Sequence, residues 1–319
     1  MTGAIEKKYD HLEDPGIRAF MIEGERFYPP DAVNFTMAEQ RAFYDLYCSH
    51  FRRSRPDTVA TEDLMIGSIP CRRYHKRGTA DAPVLVYFHG GGFVVGGLDS
   101  HDDVCAEICD AAAIDVVAVD YRLAPEHPFP AAFDDGWAVA ARLALSHARL
   151  IVGGDSAGGN LAAAIAIRAR DTGGPALRGQ VLIYPGLGGD VTKGSYVTQA
   201  QAPGLSTSDT LYYRKVYNGG GSKYAEPLRE TNFTGLPPAF LVAAGLDPLH
   251  DDCFAYAARL EAAGVPAQVR DEPLLVHAFI RARNMSVPAR AAFDAIIAAA
   301  ASLGHHGRLP HSVSPQRTA

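Results

Sequence analysis

The sequence predicts an α/β fold in which a mostly parallel sheet is covered by helices on both faces. Three observations carry that expectation. Strand-like and helix-like segments alternate at least five times between residues 83 and 303. The strand-like segments are apolar throughout, as in VLVYF at 84–88, which is how a strand buried on both faces reads. Two of them run straight into glycine-rich turns, HGGG at 89–92 and GGDSAGG at 153–159.

In chain order, residues 1–55 read as helical and partly amphipathic. Phe20, Phe27, Phe35, Phe43, Tyr44, Tyr47 and Phe51 supply apolar contacts there without a strand pattern. Residues 58–74 read as two short strands around Gly67. After VLVYF come a helix near 102–113, a buried strand at 116–119, a Pro-rich connection and a helix near 133–146. RLIVGG is a strand that turns into a long Ala-rich helix, and GQVLIYPGL and PPAFLVAAGLDPL are further strands. The helix DDCFAYAARLEAA stops at Gly264, a normal position for a helix-ending glycine. AQVRDEPLLVHAF is a strand and loop, a last helix covers about 288–303, and the polar tail 305–319 is expected to be disordered. Between 188 and 236 the alternation lapses into a polar, glycine-broken, partly helical stretch. It reads as an excursion from the sheet that packs with the N-terminal segment as a lid.

Composition excludes several classes. At about 150 residues per domain, 319 residues allow two domains or one large domain with an insertion. With 47% hydrophobic and 21% charged residues the chain is globular and not disordered. Thirty basic residues against 36 acidic ones give a net charge of −6. The densest basic cluster, Arg52, Arg53 and Arg55, is too short for a nucleic-acid-binding stripe and reads as a solvated helix end. The first residues, MTGAIEKKYD, are too polar for a secretory signal. The longest apolar stretch near the end, Ala295 to Ala301, is too short to span a membrane. Cys48, Cys71, Cys105, Cys109 and Cys253 make an odd count, which suits reduced thiols and a cytoplasmic location. Cys105 and Cys109 are spaced as neighbours on a helix, but one such pair makes no metal site, and no metal is expected.

The sharpest motif is Gly154-Asp155-Ser156-Ala157-Gly158, a G-x-S-x-G between a strand and a helix. A serine on such a turn is held in a strained backbone conformation, so its flanks must be small. Gly154 and Gly158 meet that need. The hydroxyl also sits at a helix N-terminus, where a developing anion is favoured. The second motif is His89-Gly90-Gly91-Gly92. Acyl transfer makes an oxyanion, and amides left bare by glycine can face it. The expected donors are the N–H groups of Gly91, Gly92 and Ala157, with Gly90 shaping the turn and His89 in a structural hydrogen-bonding role. Serine needs a base, and in this chain order an acid precedes the histidine. Of His250, His277, His305, His306 and His311, His277 is preferred because it follows the last strand and leads into a helical stretch. Asp247 ends a buried strand and is the expected partner, whereas Asp251 and Asp252 suit the start of the next helix.

HGGGF, DYRLAPEHPFPAAFDD, GGDSAGGNLAA, LIYPGL, LPPAFLVAAGLDPLHDD and VHAF together resemble the bacterial hormone-sensitive-lipase-type esterases, the family IV carboxylesterases of the α/β-hydrolase fold. The match covers about residues 83–303. The resemblance implies an α/β-hydrolase fold with an eight-stranded, mostly parallel sheet under a helical cap, and no metal or organic cofactor. The cap would combine residues 1–55 with an insertion at 190–235, leaving a catalytic core at 56–189 and 236–304. Ser156 would be the nucleophile, Asp247 and His277 its partners, Gly91, Gly92 and Ala157 the oxyanion donors, and Asp155 a brace for the turn. Two positions depart from the family: Ala278, where glycine is common, and Phe93, where tryptophan is frequent.

The function so implied is a serine carboxylesterase acting on short- to medium-chain acyl esters as small-molecule substrates. An amidase or acyltransferase would use the same groups. A non-catalytic ligand receptor, as in plant gibberellin receptors, would lack the histidine that stands here at 277. The lid tyrosines Tyr196, Tyr212, Tyr213 and Tyr217 are expected chiefly to pack lid on core, and a homodimer is an expectation from the resemblance alone.

Overall fold

The computed structural model describes residue 5 and residues 7–310. Helix α1 (Pro15–Gly24) starts behind Asp14, whose side chain accepts a hydrogen bond from the Ile17 amide. Helix α2 (Met37–Phe51) starts at a capping box in which Thr36 and Glu39 each satisfy the other's backbone N–H. Strands β1 (Val59–Ile66) and β2 (Ile69–Lys76) form a hairpin that turns at Gly67, where φ is +65°. Then follow β3 (Val84–Phe88), α3 (Asp102–Ala112), β4 (Asp115–Val119), α4 (Ala131–Leu143), β5 (Leu150–Asp155), α5 (Ala157–Asp171) and β6 (Leu177–Ile183). Helices α6 (Ser195–Thr198) and α7 (Thr207–Tyr217) occupy the stretch where alternation lapsed. The chain closes with β7 (Ala239–Leu246), α8 (His250–Ala262), β8 (Ala267–Val276) and α9 (Val287–His306).

The eight strands form one sheet in the order β1-β2-β4-β3-β5-β6-β7-β8. The β1–β2 and β2–β4 pairings are antiparallel and all the others parallel. Successive side chains go to opposite faces. Leu85 and Tyr87 of β3 pack in one core with residues of α3 and α9, whereas Val84, Val86 and Phe88 pack in another with α4, α5 and α8. Both faces of β3 are therefore covered, which is why it is apolar at every position.

One local expectation needs correction. The last helix runs to His306 and not to Leu303, and ends at Gly307 in the left-handed region. His305 and His306 therefore belong to a helix and not to a disordered tail, while residues 311–319 lie outside the described residues. Helix α9 has the length and composition to cross a membrane, although its longest unbroken apolar run is short. Half of it is buried, with Phe293, Ile296 and Leu303 in the core. The excursion from the sheet is anchored at its far end, where Ala225, Leu228, Phe233 and Leu236 are buried in the second core.

Residues before β1 meet the α6–α7 stretch directly. The Tyr28 and Tyr213 hydroxyls are 3.2 Å apart, and the buried Gln40 donates to the Tyr212 hydroxyl at 3.0 Å. Arg41 of α2 donates to the Val94 carbonyl at 3.0 Å and grips Glu126 with both terminal nitrogens. The basic residues at the end of α2 are engaged locally: Arg55 meets the carboxylate of Asp102 at 2.6 Å and the Arg53 amide meets Asp103 at 3.1 Å.

Candidate active site

Ser156 stands between the end of β5 and the first residue of α5, with φ +54° and ψ −118°. A non-glycine residue in that region is strained and is held there by its surroundings. The turn lies hard against the end of β3: a Cβ on Gly154 or on Gly158 would fall on the Phe88 carbonyl oxygen. Close approach, rather than left-handed backbone, explains these two glycines.

Asp247 and His277 follow the ends of neighbouring parallel strands. Leu246 of β7 is paired with Val276 of β8, so the next residue on each strand projects into the same place. The result is a continuous chain. Asp247 Oδ2 is 2.6 Å from His277 Nδ1, and His277 Nε2 is 2.9 Å from Ser156 Oγ. Asp247 is fully buried, and its other oxygen accepts the Leu249 N–H at 2.8 Å. An acceptor-only carboxylate beside Nδ1 places the ring proton there. Nε2 is then a lone pair aimed at the serine hydroxyl, an arrangement able to remove the hydroxyl proton.

Around the serine, Gly91 (φ +124°) and Gly92 (φ +60°) hold a loop that closes when the Gly91 carbonyl accepts the N–H groups of Val94 and Val95, each at 3.0 Å. Ala157 is the first residue of α5, so its N–H has no acceptor within the helix. Asp155 is buried and its Oδ1 accepts the Gly90 N–H at 3.0 Å and the Tyr87 hydroxyl at 2.8 Å. It thus joins the two glycine turns. Burial alone would raise its pKa. The positive fields of His101 and Arg281, with hydrogen bonds from His101 and Tyr87, outweigh that and hold the carboxyl below the usual range.

His89 is buried, stacks on Tyr121 at 4.2 Å, and its Nδ1 is 2.8 Å from the Gly90 carbonyl. Burial first, and neighbouring His101 second, push its pKa down to about 4, so the ring is neutral and donates to that carbonyl. The other histidines lie elsewhere. His250 sits between Asp251 at 2.9 Å and Asp271 at 3.1 Å, and His305 faces the Ala112 carbonyl at 3.2 Å. His311 lies outside the described residues.

A cavity of about 770 Å³ opens over Ser156 and His277. Gly91, Gly92 and Ala157 line its floor, and Tyr28, Tyr44 and Tyr47 come in from the N-terminal segment. Of the four tyrosines singled out in the 190–235 stretch, Tyr213 and Tyr217 line the cavity. Tyr217 stacks on Phe93 at 3.6 Å, and the Tyr213 ring fills the space that a Cβ on Gly92 would need. Tyr196 instead donates to Asp252 at 3.0 Å, and Tyr212 accepts from Gln40.

Sequence reasoning missed the buried pair His101 and Arg281 and the partners of Asp252. Asp252 lies in the first turn of α8, but its carboxylate is spent on the Leu187 and Gly189 amides and the Tyr196 hydroxyl. His101 and Arg281 stand behind Asp155, and no motif flagged them. Among the described residues the five cysteines are buried and unpaired, and no three His, Cys, Asp or Glu side chains gather as metal ligands would.

This sheet, with its serine turn at the end of the fifth strand, is that of an α/β hydrolase. Comparison with known proteins agrees: a family profile described as α/β hydrolase fold matches residues 85–281. The chain is 45% identical over 214 residues to esterase LipI of Mycobacterium tuberculosis, covering 63% of this chain and 67% of that one. It is 36% identical over 317 residues to carboxylic ester hydrolase LipN of the same organism, covering 90% of this chain and 82% of that one. Among solved structures, the ester hydrolase EH1AB1 from the metagenome of Lake Arreo superposes with a TM-score of 0.83 at 34% identity, over 92% of this chain and 98% of that one. The chain belongs to the hormone-sensitive-lipase-type, family IV carboxylesterases of the α/β-hydrolase superfamily, and is a carboxylic ester hydrolase.

Proposed function

We propose that the enzyme hydrolyses short- to medium-chain acyl esters through an acyl-enzyme on Ser156. One observation carries this reading: the unbroken Asp247–His277–Ser156 chain, at 2.6 and 2.9 Å, opening on the cavity. Ser156 Oγ attacks the ester carbonyl carbon while His277 Nε2 takes its proton. The carbonyl oxygen becomes an oxyanion facing the N–H groups of Gly91, Gly92 and Ala157. Each such donor contributes about 3 to 4 kcal/mol to the transition state. The bond to the leaving alcohol then breaks, and His277 returns the proton to that oxygen. Water enters, gives a proton to His277 and attacks the acyl carbon. The acid departs as Ser156 regains its proton. Asp247 stays ionised throughout and steadies the imidazolium.

Residues 1–55 and 190–235 act as the cap over this site, supported by the Tyr28–Tyr213 and Gln40–Tyr212 contacts. The acyl limit, about two to eight carbons, rests on family analogy, and a cavity within the usual range for small ligands accords with it. The buried thiols suit a cytoplasmic enzyme. The test is turnover of p-nitrophenyl esters of increasing acyl length by wild type and Ser156→Ala. Wild-type rates should peak at short to medium chains and the variant should be inactive. Undiminished turnover by the variant refutes the nucleophile, and rates climbing steadily to sixteen carbons refute the chain length.

A further inference from the structure

Arg281 lies four residues after His277, in the short 3₁₀ turn Phe279–Ala282, and is 4% exposed. A buried guanidinium ordinarily sits against a carboxylate, since an isolated buried charge is costly. This one instead donates to the Ser100 carbonyl at 2.8 Å and to the Tyr44 hydroxyl at 3.1 Å, and it lies 3.1 Å from His101 Nε2, whose proton goes to Asp155. Its face also covers the rings of Tyr44 and Tyr47, at 5.4 and 5.7 Å. Asp155 is in the complementary position: a carboxylate 3% exposed whose nearest basic group is His101 Nε2, at 3.2 Å. The imidazole of His101 therefore stands between a buried cation and a buried anion. The anion in turn holds the Gly90 amide and directly precedes Ser156.

We propose that Arg281 is a positioning residue: acting through His101 and Asp155, it sets the oxyanion loop against the serine turn, and through Tyr44 and Tyr47 it ties both to helix α2. The proposal rests on the reading of Ser156 as nucleophile and of the Gly91 and Gly92 amides as oxyanion donors. Without the cation, the buried Asp155 keeps only the imidazole of His101 to offset its charge. Its hold on the Gly90 amide weakens, and the oxyanion loop drifts from the place where charge develops. The reacting groups Ser156, His277 and Asp247 are untouched, and of the cavity wall only Tyr44 and Tyr47 meet Arg281. The loss falls on the chemical step.

The test compares Arg281→Met and Arg281→Lys, which fill similar space but differ in charge, with p-nitrophenyl butyrate as substrate. Arg281→Met should lower kcat roughly 10- to 100-fold, the scale of a disturbed oxyanion or supporting interaction, and move KM less than about threefold. Phosphonylation of Ser156 by a fluorophosphonate should slow in parallel. Arg281→Lys should recover a third or more of the wild-type kcat. Should Arg281→Met not fold, His101→Leu interrupts the bridge with both charges in place and should show the same split between kcat and KM. Equal kcat losses in Met and Lys variants, or an unchanged kcat in His101→Leu, would overturn the proposal. Wild-type labelling keeps the two readings apart. Failure of the probe to label Ser156 in the wild type sinks the nucleophile assignment, whereas normal labelling with insensitive variants sinks only the role of Arg281.

Discussion

Replacing Asp247 by asparagine isolates the electrostatic part of the mechanism with hardly a change of shape. The structure dictates how the new amide will sit. One oxygen of Asp247 accepts the Leu249 N–H at 2.8 Å, and only the carbonyl oxygen of asparagine can continue to do so. The amide NH₂ must then face His277 Nδ1, where Asp247 Oδ2 now lies at 2.6 Å. Two donors cannot share that line, so the imidazole proton moves to Nε2. There it points at Ser156 Oγ, and the ring can no longer take the hydroxyl proton. In a triad of this kind the wrong tautomer costs about 10⁴-fold in kcat, or about 5.5 kcal/mol of barrier. The assay is steady-state hydrolysis of p-nitrophenyl butyrate, with thermal unfolding beside it to confirm that Tm moves by less than about 3 °C. An Asp247→Asn enzyme that folds normally and keeps activity within about tenfold of wild type would refute the argument, because the orientation of His277 would then not depend on Asp247.

Two further predictions concern stability. Asp252 is buried, and desolvation pushes its pKa up to about 6 from 3.8, against the Leu187 amide and Arg214, which act to lower it. A carboxyl raised on folding binds a proton more readily in the folded state, so stability is lost as pH rises from about 4 to about 6 and stays lost above. The difference converts to about 3 kcal/mol. Asp252→Asn should therefore unfold at higher urea than wild type at pH 8, by up to that amount, with the advantage gone by about pH 4. A gap that is independent of pH would contradict this. Ala278 sits in the left-handed region at φ +62° and ψ +19°. That conformation costs an L-residue about 1 to 2 kcal/mol, of which glycine's larger unfolded-state entropy would return about 0.5 to 1. Ala278→Gly should raise Tm by about 1 to 3 °C, and a lower Tm would show that the methyl group's contacts outweigh the strain.

Much of the site was legible because each chemical group adjoins a strand end and the chain order is fixed. Ser156 was marked by flanking glycines, Asp247 by a proline just after its strand, and His277 by the last strand of the alternation. Which histidine meets the serine, however, depends on the register pairing Leu246 with Val276, and no local pattern encodes that. Long-range meetings were equally silent. Arg281 reaches Ser100 and His101 across 180 positions, and Asp252 reaches back to Leu187 and Gly189. The antiparallel placement of β2 was hidden too, because two short strands around a glycine predict a hairpin but not the strand it docks against.

The claim on which the rest depends is that Ser156 carries the acyl group. Treating the enzyme with a fluorophosphonate and mapping the adduct by peptide mass spectrometry tests it directly. The account predicts one adduct per chain, on the peptide spanning the turn Gly154 to Gly158 and assigned to Ser156, with ester turnover lost in proportion to labelling. An adduct on any other residue, or turnover that survives complete modification of Ser156, would contradict it.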